Sequence, residues 1–211
     1  MRARVLLAAL GCAALAACNG VVSTTPLFSE SDAQGQPQLR PGVWVNDHKD
    51  CAFDERAPID QWPGCLDHFV VRPGAIVSSH SPDTPPSSWT VNPIVLARGD
   101  PAIVQVTMDD KSGPPPSYDY LGLRPLKLDA QGRVIAFKTW PALCGPPPPG
   151  DDGGDPTLTR HPIDGATPRP ATHDCLVTAQ GPVRASARLS EAWDDDTEGR
   201  DHAHWVRDGE K

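Results

Sequence analysis

Apolar and polar positions alternate over short spans along most of the chain, the period that places successive side chains on opposite faces of a strand. In PGVWVND, Val43 and Val45 alternate with Trp44. HFVVRPGAIVSS, WTVNPIVLA and AIVQVTM are β-branched runs of strand length, with turn signals in RPG and RGDP. YDYLGLRPLKLD and RVIAFKTW flank Ala130-Gln131-Gly132, a loop of hairpin size whose glycine suits a positive φ. Leu126 and Leu128 alternate with Lys127, and Val134 and Ala136 with Ile135, so each of these strands should have one wetter face. A helical period arises only late, in PVRASARLSEAW, with Pro182 in the first turn and Val183, Ala187 and Leu189, or Ser190 and Trp193, at helical spacing. HAHWVRD reads as a last strand. The pattern predicts about seven short strands and one late helix. Helices do not interrupt the strands, so the expected fold is mainly β: an antiparallel small barrel or sandwich with one C-terminal helix and long Pro/Gly-rich loops.

The first residues follow another rule. Arg2 and Arg4 precede an apolar or small-residue run from Val5 to Ala17. This has the form of an export leader and is shorter than the ~20 residues of a spanning helix. The run ends in Leu15-Ala16-Ala17-Cys18, which resembles the lipobox of bacterial lipoproteins. The resemblance implies cleavage ahead of Cys18, a diacylglycerol on its sulfur and a further acyl chain such as palmitate on its amine. Several chains at ~0.8 kcal/mol per buried methylene anchor firmly, where one is marginal. Asn19, in place of the aspartate that marks inner-membrane retention in that family, implies the outer membrane, facing the periplasm. The expected organisation is a leader over 1–17, a lipid-anchored flexible stalk over 18–40, which is rich in Ser, Thr, Gln and Pro, and a single β-rich domain over 41–211.

Composition narrows the partners. The 211 residues carry 27 acidic against 19 basic side chains, a formal charge of −8, with no Lys/Arg cluster, so nucleic acid is not an expected partner. The 25 prolines and 18 glycines gather in short clusters between apolar runs. Cys12 lies within the leader. Of the later cysteines, Cys51, Cys65, Cys144 and Cys175, an exported chain is expected to make disulfides, and four allow three connectivities. Cys51–Cys65 and Cys144–Cys175 are favoured, because each pair brackets a segment with little else to hold it. Each closure is worth roughly 3 to 4 kcal/mol in the chain-entropy model. No CxxC is present, and the scattered histidines offer no zinc set.

Gly42-Val43-Trp44 resembles the Gly-x-Trp that opens the first strand of calycin-type barrels, among them lipocalins and small bacterial protease inhibitors. In the inhibitor group a close cysteine pair and a tryptophan follow, as Cys51, Trp62 and Cys65 do here, and LKLDAQGRVIAF is similar to a hairpin of such barrels. Trp44, Trp89, Trp140 and Trp205 fall in or beside strands and are expected to fill core. The chain has no Gly-x-Ser-x-Gly, HExxH, Walker-type loop or Ser-x-x-Lys, so no catalytic residue, cofactor or metal is assigned. His202 and His204 would share a strand face without a third ligand, and His48, His68, His80, His161 and His173 read as surface residues. The acidic runs Asp151, Asp152 and Asp155, and Asp194 to Asp196 with Glu198, match no calcium-loop spacing. Arg98-Gly99-Asp100 is a turn ahead of Pro101. The leading expectation is a non-enzymatic envelope module that binds a partner protein or plays a structural role. The alternatives are a periplasmic inhibitor of a protease or lysozyme, and a lipocalin-like carrier of a small apolar ligand, which requires an open apolar cavity.

Overall fold

In the computed structural model, residues 19–46, 51–78, 88–108, 117–146, 162–169, 174–193 and 202–209 are described. Among them eleven strands are β1 (Val21–Ser23), β2 (Gly42–Asn46), β3 (His68–Arg72), β4 (Ala75–Ser78), β5 (Thr90–Ala97), β6 (Ala102–Met108), β7 (Ser117–Leu128), β8 (Val134–Pro141), β9 (Thr167–Arg169), β10 (Asp174–Leu176) and β11 (His202–Arg207), and one helix, α1 (Gln180–Ser190), precedes β11. Strands β2 to β8 pair in sequence order, each antiparallel to the next, and β11 closes the ring between β8 and β2. The result is a closed eight-strand antiparallel barrel. Strands β1, β10 and β9 continue the sheet outside the ring from the first half of β7.

The inward positions form one apolar cluster around Trp44, Val71, Leu96, Val104, Leu123, Phe137 and Ala203. Two further clusters cover the outer wall. Residues 51–66 wrap β2, β3 and β4, burying Ile59, Trp62 and Leu66 against Val43, Val45, Val70 and Val77. Helix α1 and residues 19–28 cover β5 to β7 through Val21, Phe28, Val183 and Ala187. Strand β2 is therefore buried on both faces, as suits its apolar Val43-Trp44-Val45 run.

The Gly-x-Trp motif has a steric reason here. Gly42 has φ 129°, and a Cβ there would collide with the carbonyl of Arg207 on the neighbouring β11. Two residues on, Trp44 is fully buried inside the ring, stacked on Phe69 at 6.1 Å and against Phe137 at 5.2 Å. Gly122 plays a similar part on β7, where a side chain would overlap the Trp140 indole lying across it.

The stalk expected over 18–40 is not one. Val21 (1% exposed), Phe28 (3%) and Leu39 (7%) are buried, so the folded body begins by Asn19 and not at residue 41. Their apolar spacing is irregular because hydrogen bonds, not a repeating period, fasten the segment. The Gln105 amide oxygen accepts from the backbone N–H of Leu27 (2.8 Å) and Phe28 (2.9 Å), and its NH2 donates to the Phe28 carbonyl (3.0 Å). Ser23 donates to the Thr25 carbonyl, so its oxygen accepts from Tyr120 Oη at 2.6 Å. Burial pushes the Tyr120 hydroxyl pKa up. Other expectations shift at element ends. Leu126 and Leu128 are about half exposed (53% and 47%) because β7 runs on after its pairing with β6 stops at Leu123. Helix α1 ends at Ser190 and buries Val183, Ser186, Ala187 and Ser190, leaving Leu189 outside and Trp193 past the helix end. The residues that approach the barrel are small because Ser186 and Ser190 bond both backbone groups of Leu143. The leader, Cys18 and most of the 145–156 loop lie outside the described residues.

Candidate binding cavity

The barrel has two unlike ends. At one, here the mouth, β2 finishes and β3 begins; at the other, the foot, the Pro73-Gly74 and Gln131-Gly132 turns reverse the chain, with Gly74 and Gly132 at φ 71° and 75°. A cavity of about 340 Å³ opens inside the ring at the mouth. Leu39, Val104 and Leu123 form its depth, and Phe69, Ile76, Leu121 and Phe137 its walls. Asn46, Asp67, His68, Ser78, Trp89 and Thr139 stand around its rim, all near mouth-side strand ends.

At the foot, a second hollow of about 370 Å³ lies among Leu39, Val71, Ile94, Leu96 and the Arg72-Pro73-Gly74 turn. Residues 38–41 close this end. Val134 N–H donates to the Gln38 carbonyl and Arg40 N–H to the Val134 carbonyl, both at 2.9 Å, which pins Leu39 between them. The Trp44 indole donates to the Arg40 carbonyl (2.9 Å) and the Trp205 indole to the Pro41 carbonyl (3.1 Å). The Arg40 guanidinium lies 3.5 Å over the Trp205 ring and pairs with Asp208 at 2.9 Å.

The strands explain who faces inward. In β3, Phe69 and Val71 point in while Val70 packs outward; in β7, Leu121 and Leu123 point in. Thr139 donates to the Gly122 carbonyl at 2.9 Å, so its hydroxyl is bonded within the wall. His68, expected at the surface, is half-buried between the Trp62 and Trp89 rings at 5.5 and 5.0 Å. Its Nδ1 lies 3.0 Å from the Leu66 carbonyl, which can only accept, so Nδ1 carries a hydrogen. Nε2 is buried without a hydrogen-bond partner. Trp44 and Trp140 fill core as expected, whereas Trp89 sits half-buried on the cavity rim and Trp205 half-buried under Arg40.

Cys51 and Cys65 are bonded with Cα atoms 5.9 Å apart, and Cys144 and Cys175 with Cα atoms 5.5 Å apart, the favoured connectivity. Trp62 does not protrude from the first loop. It is 9% exposed, donates to the Asp54 carbonyl, and lies 5.1 Å beneath the Arg207 guanidinium, which donates to the Glu55 and Ala57 carbonyls. His202 and His204 flank inward-facing Ala203, and no group of three metal-ligating side chains occurs among the described residues. Asp100 pairs with Arg124 at 2.9 Å, which fastens its turn to β7. His48, His80, His161, His173 and both acidic runs lie outside the described residues. Sequence reading named Trp89 only as core and missed Leu39, Phe69, Leu121, Phe137 and Thr139. The signal available for the strand residues was alternation in HFVV, YLGL and AFKT; for Leu39 there was none.

Family models, curated proteins and solved structures were each compared with the chain, and none matches it.

Proposed function

We propose that this protein is an exported, lipid-anchored binding module that takes a small apolar ligand into the mouth of its barrel. The observation that carries this reading is the cavity. Its roughly 340 Å³ falls within the range of small-ligand sites, and its depth and walls are aliphatic and aromatic while polar groups stand at the rim. Eight-strand barrels are of the size that either fills with side chains or leaves room for one small ligand. The Gly42-Val43-Trp44 resemblance to calycin-type barrels supports the same reading. At ~30 Å³ per water-sized group, the ligand has about a dozen heavy atoms. An apolar body in the bore with a hydrogen-bonding tip at the rim suits that lining.

The leader and the lipobox-like run support an envelope address. Asn19 accepts from Cys144 N–H at 2.7 Å and Gly20 from Cys175 N–H at 2.9 Å. A lipid on Cys18, one peptide (~3.8 Å) from Asn19, would hold the barrel against the bilayer without a spacer. Cys18→Ala is expected to move the protein out of the membrane fraction; retention there would overturn the anchoring.

The binding test is a titration with the fluorescent probe N-phenyl-1-naphthylamine. A single saturable site with a dissociation constant on the order of micromolar is expected, and Leu121→Trp, which fills the hollow, should abolish it. Absence of saturable binding to the wild-type protein would overturn the reading.

A further inference from the structure

The two hollows in the bore are not independent. Among the described residues Leu39 is the one side chain that lines both, with about 340 Å³ on its mouth side and about 370 Å³ on its foot side. It is 7% exposed, belongs to the interior cluster, and its backbone is fixed on both sides by the Val134 amide and carbonyl. Trp44, the largest interior side chain, lines neither hollow and so is not what divides them. On the foot side, the space beyond Leu39 is bounded by Val71, Ile94 and Leu96, apolar side chains continuous with those of the mouth cavity, and at its outer edge by Gln38, Arg72 and Arg133. Leu39, delivered from outside the ring by residues 38–41, is thus the side chain common to both hollows.

We propose that Leu39 sets the depth of the ligand site and so selects ligands by length, a proposal that rests on the binding reading above. A straight-chain amphiphile enters at the mouth and its apolar end stops against the Leu39 isobutyl group. Chains longer than the mouth cavity leave methylenes in water or force the tip away from the rim, and affinity stops rising with length. Shortening Leu39 removes the stop and opens the bore into the second hollow, where added methylenes again find apolar walls. Enlarging it brings the stop closer to the mouth.

Every described element lies between Asn19 and Gly209, so a chain of residues 19–211 carries all of them. Straight-chain alkan-1-ols from hexanol to octadecanol would compete with bound N-phenyl-1-naphthylamine on wild type, Leu39→Ala and Leu39→Phe, with circular dichroism melts of each. For wild type, competition should strengthen with length up to about ten to twelve carbons and then level or fall. In Leu39→Ala the limit should move up by at least about four carbons, and in Leu39→Phe it should move down. If Leu39→Ala does not fold, the downward shift in Leu39→Phe decides. A limit unchanged in every folded variant, with the probe still bound, would overturn the role of Leu39. A wild type that binds neither probe nor alkanol would instead overturn the binding reading itself.

Discussion

The foot and the mouth of the barrel are built from the same eight strands yet treat polar groups in opposite ways. At the foot, residues 38–41 place four backbone groups in hydrogen bonds with Val134, Trp44 and Trp205, and Arg40 bridges Trp205 and Asp208. Those bonds let an otherwise polar stretch of chain lie across the end of an apolar bore and press one leucine into it. At the mouth, Phe69, Ile76, Leu121 and Phe137 face open space. Apolar surface left uncovered inside a fold is a standing cost that a ligand of matching shape removes. The difference teaches that one connecting segment can close an end of a small barrel, and that where the described residues supply no such segment, at the mouth, the bore becomes a site.

Several substitutions would break or sharpen that contrast, beginning with the largest effect. Trp44→Ala removes the side chain that holds the middle of the bore at 0% exposure, and should cost about 3–5 kcal/mol of unfolding free energy in urea, whichever end is considered. Leu39→Ala at the foot should cost about 2–4 kcal/mol, because the side chain is 7% exposed and the Val134 hydrogen bonds to Gln38 and Arg40 keep the segment from moving in to fill the void. Leu121→Ala at the mouth should cost less, about 1–2 kcal/mol, since its side chain is only partly buried where Leu39 is buried. Equal losses at Leu39 and Leu121 would erase the distinction between the two ends. Arg40→Ala removes an ion pair whose Asp208 partner is 73% exposed together with its cover over Trp205, and should cost about 1 kcal/mol or less, shrinking as salt is raised.

The smallest effect is a pH dependence at the foot. Burial pulls the Asp129 carboxyl pKa up, but hydrogen bonds from the Arg133 and Gln131 backbones and the Arg133 side chain together outweigh it, and the pKa is lowered. A lowered folded-state value means its contribution is present above the ordinary carboxylate range and is lost as the pH falls through the folded value. Thermal melts of wild type and Asp129→Asn should therefore differ at neutral pH and converge in acid.

The strands of the ring were legible because they carry β-branched alternation and their turns carry Pro73-Gly74 and Gly132, signals that act locally, whereas closure was not, a barrel and a sandwich sharing the same local pattern. Gly42 and Trp44 were legible as a motif, though the collision that requires glycine there involves Arg207, far along the chain. The N-terminal segment was not legible. Val21, Phe28 and Leu39 have no common period, and the groups that hold them, Gln105, Tyr120 and Val134, lie on strands distant in sequence. The three-residue strands β9 and β10 also escaped, being too short to show alternation. For the site, alternation places Phe69, Leu121 and Phe137 on an inward face but does not say whether the space they face is filled. That depends on how far Leu39 and Trp44 reach, a three-dimensional property with no local trace.

The most direct measurement of the central claim is a calorimetric titration of decan-1-ol into the chain of residues 19–211, wild type and Leu121→Trp, at several temperatures. One ligand per wild-type protein with a negative heat-capacity change, the mark of apolar burial, and no binding to a folded Leu121→Trp is the expected result. Absence of binding to wild type, or an equal response from both proteins, would contradict an apolar site in the barrel mouth.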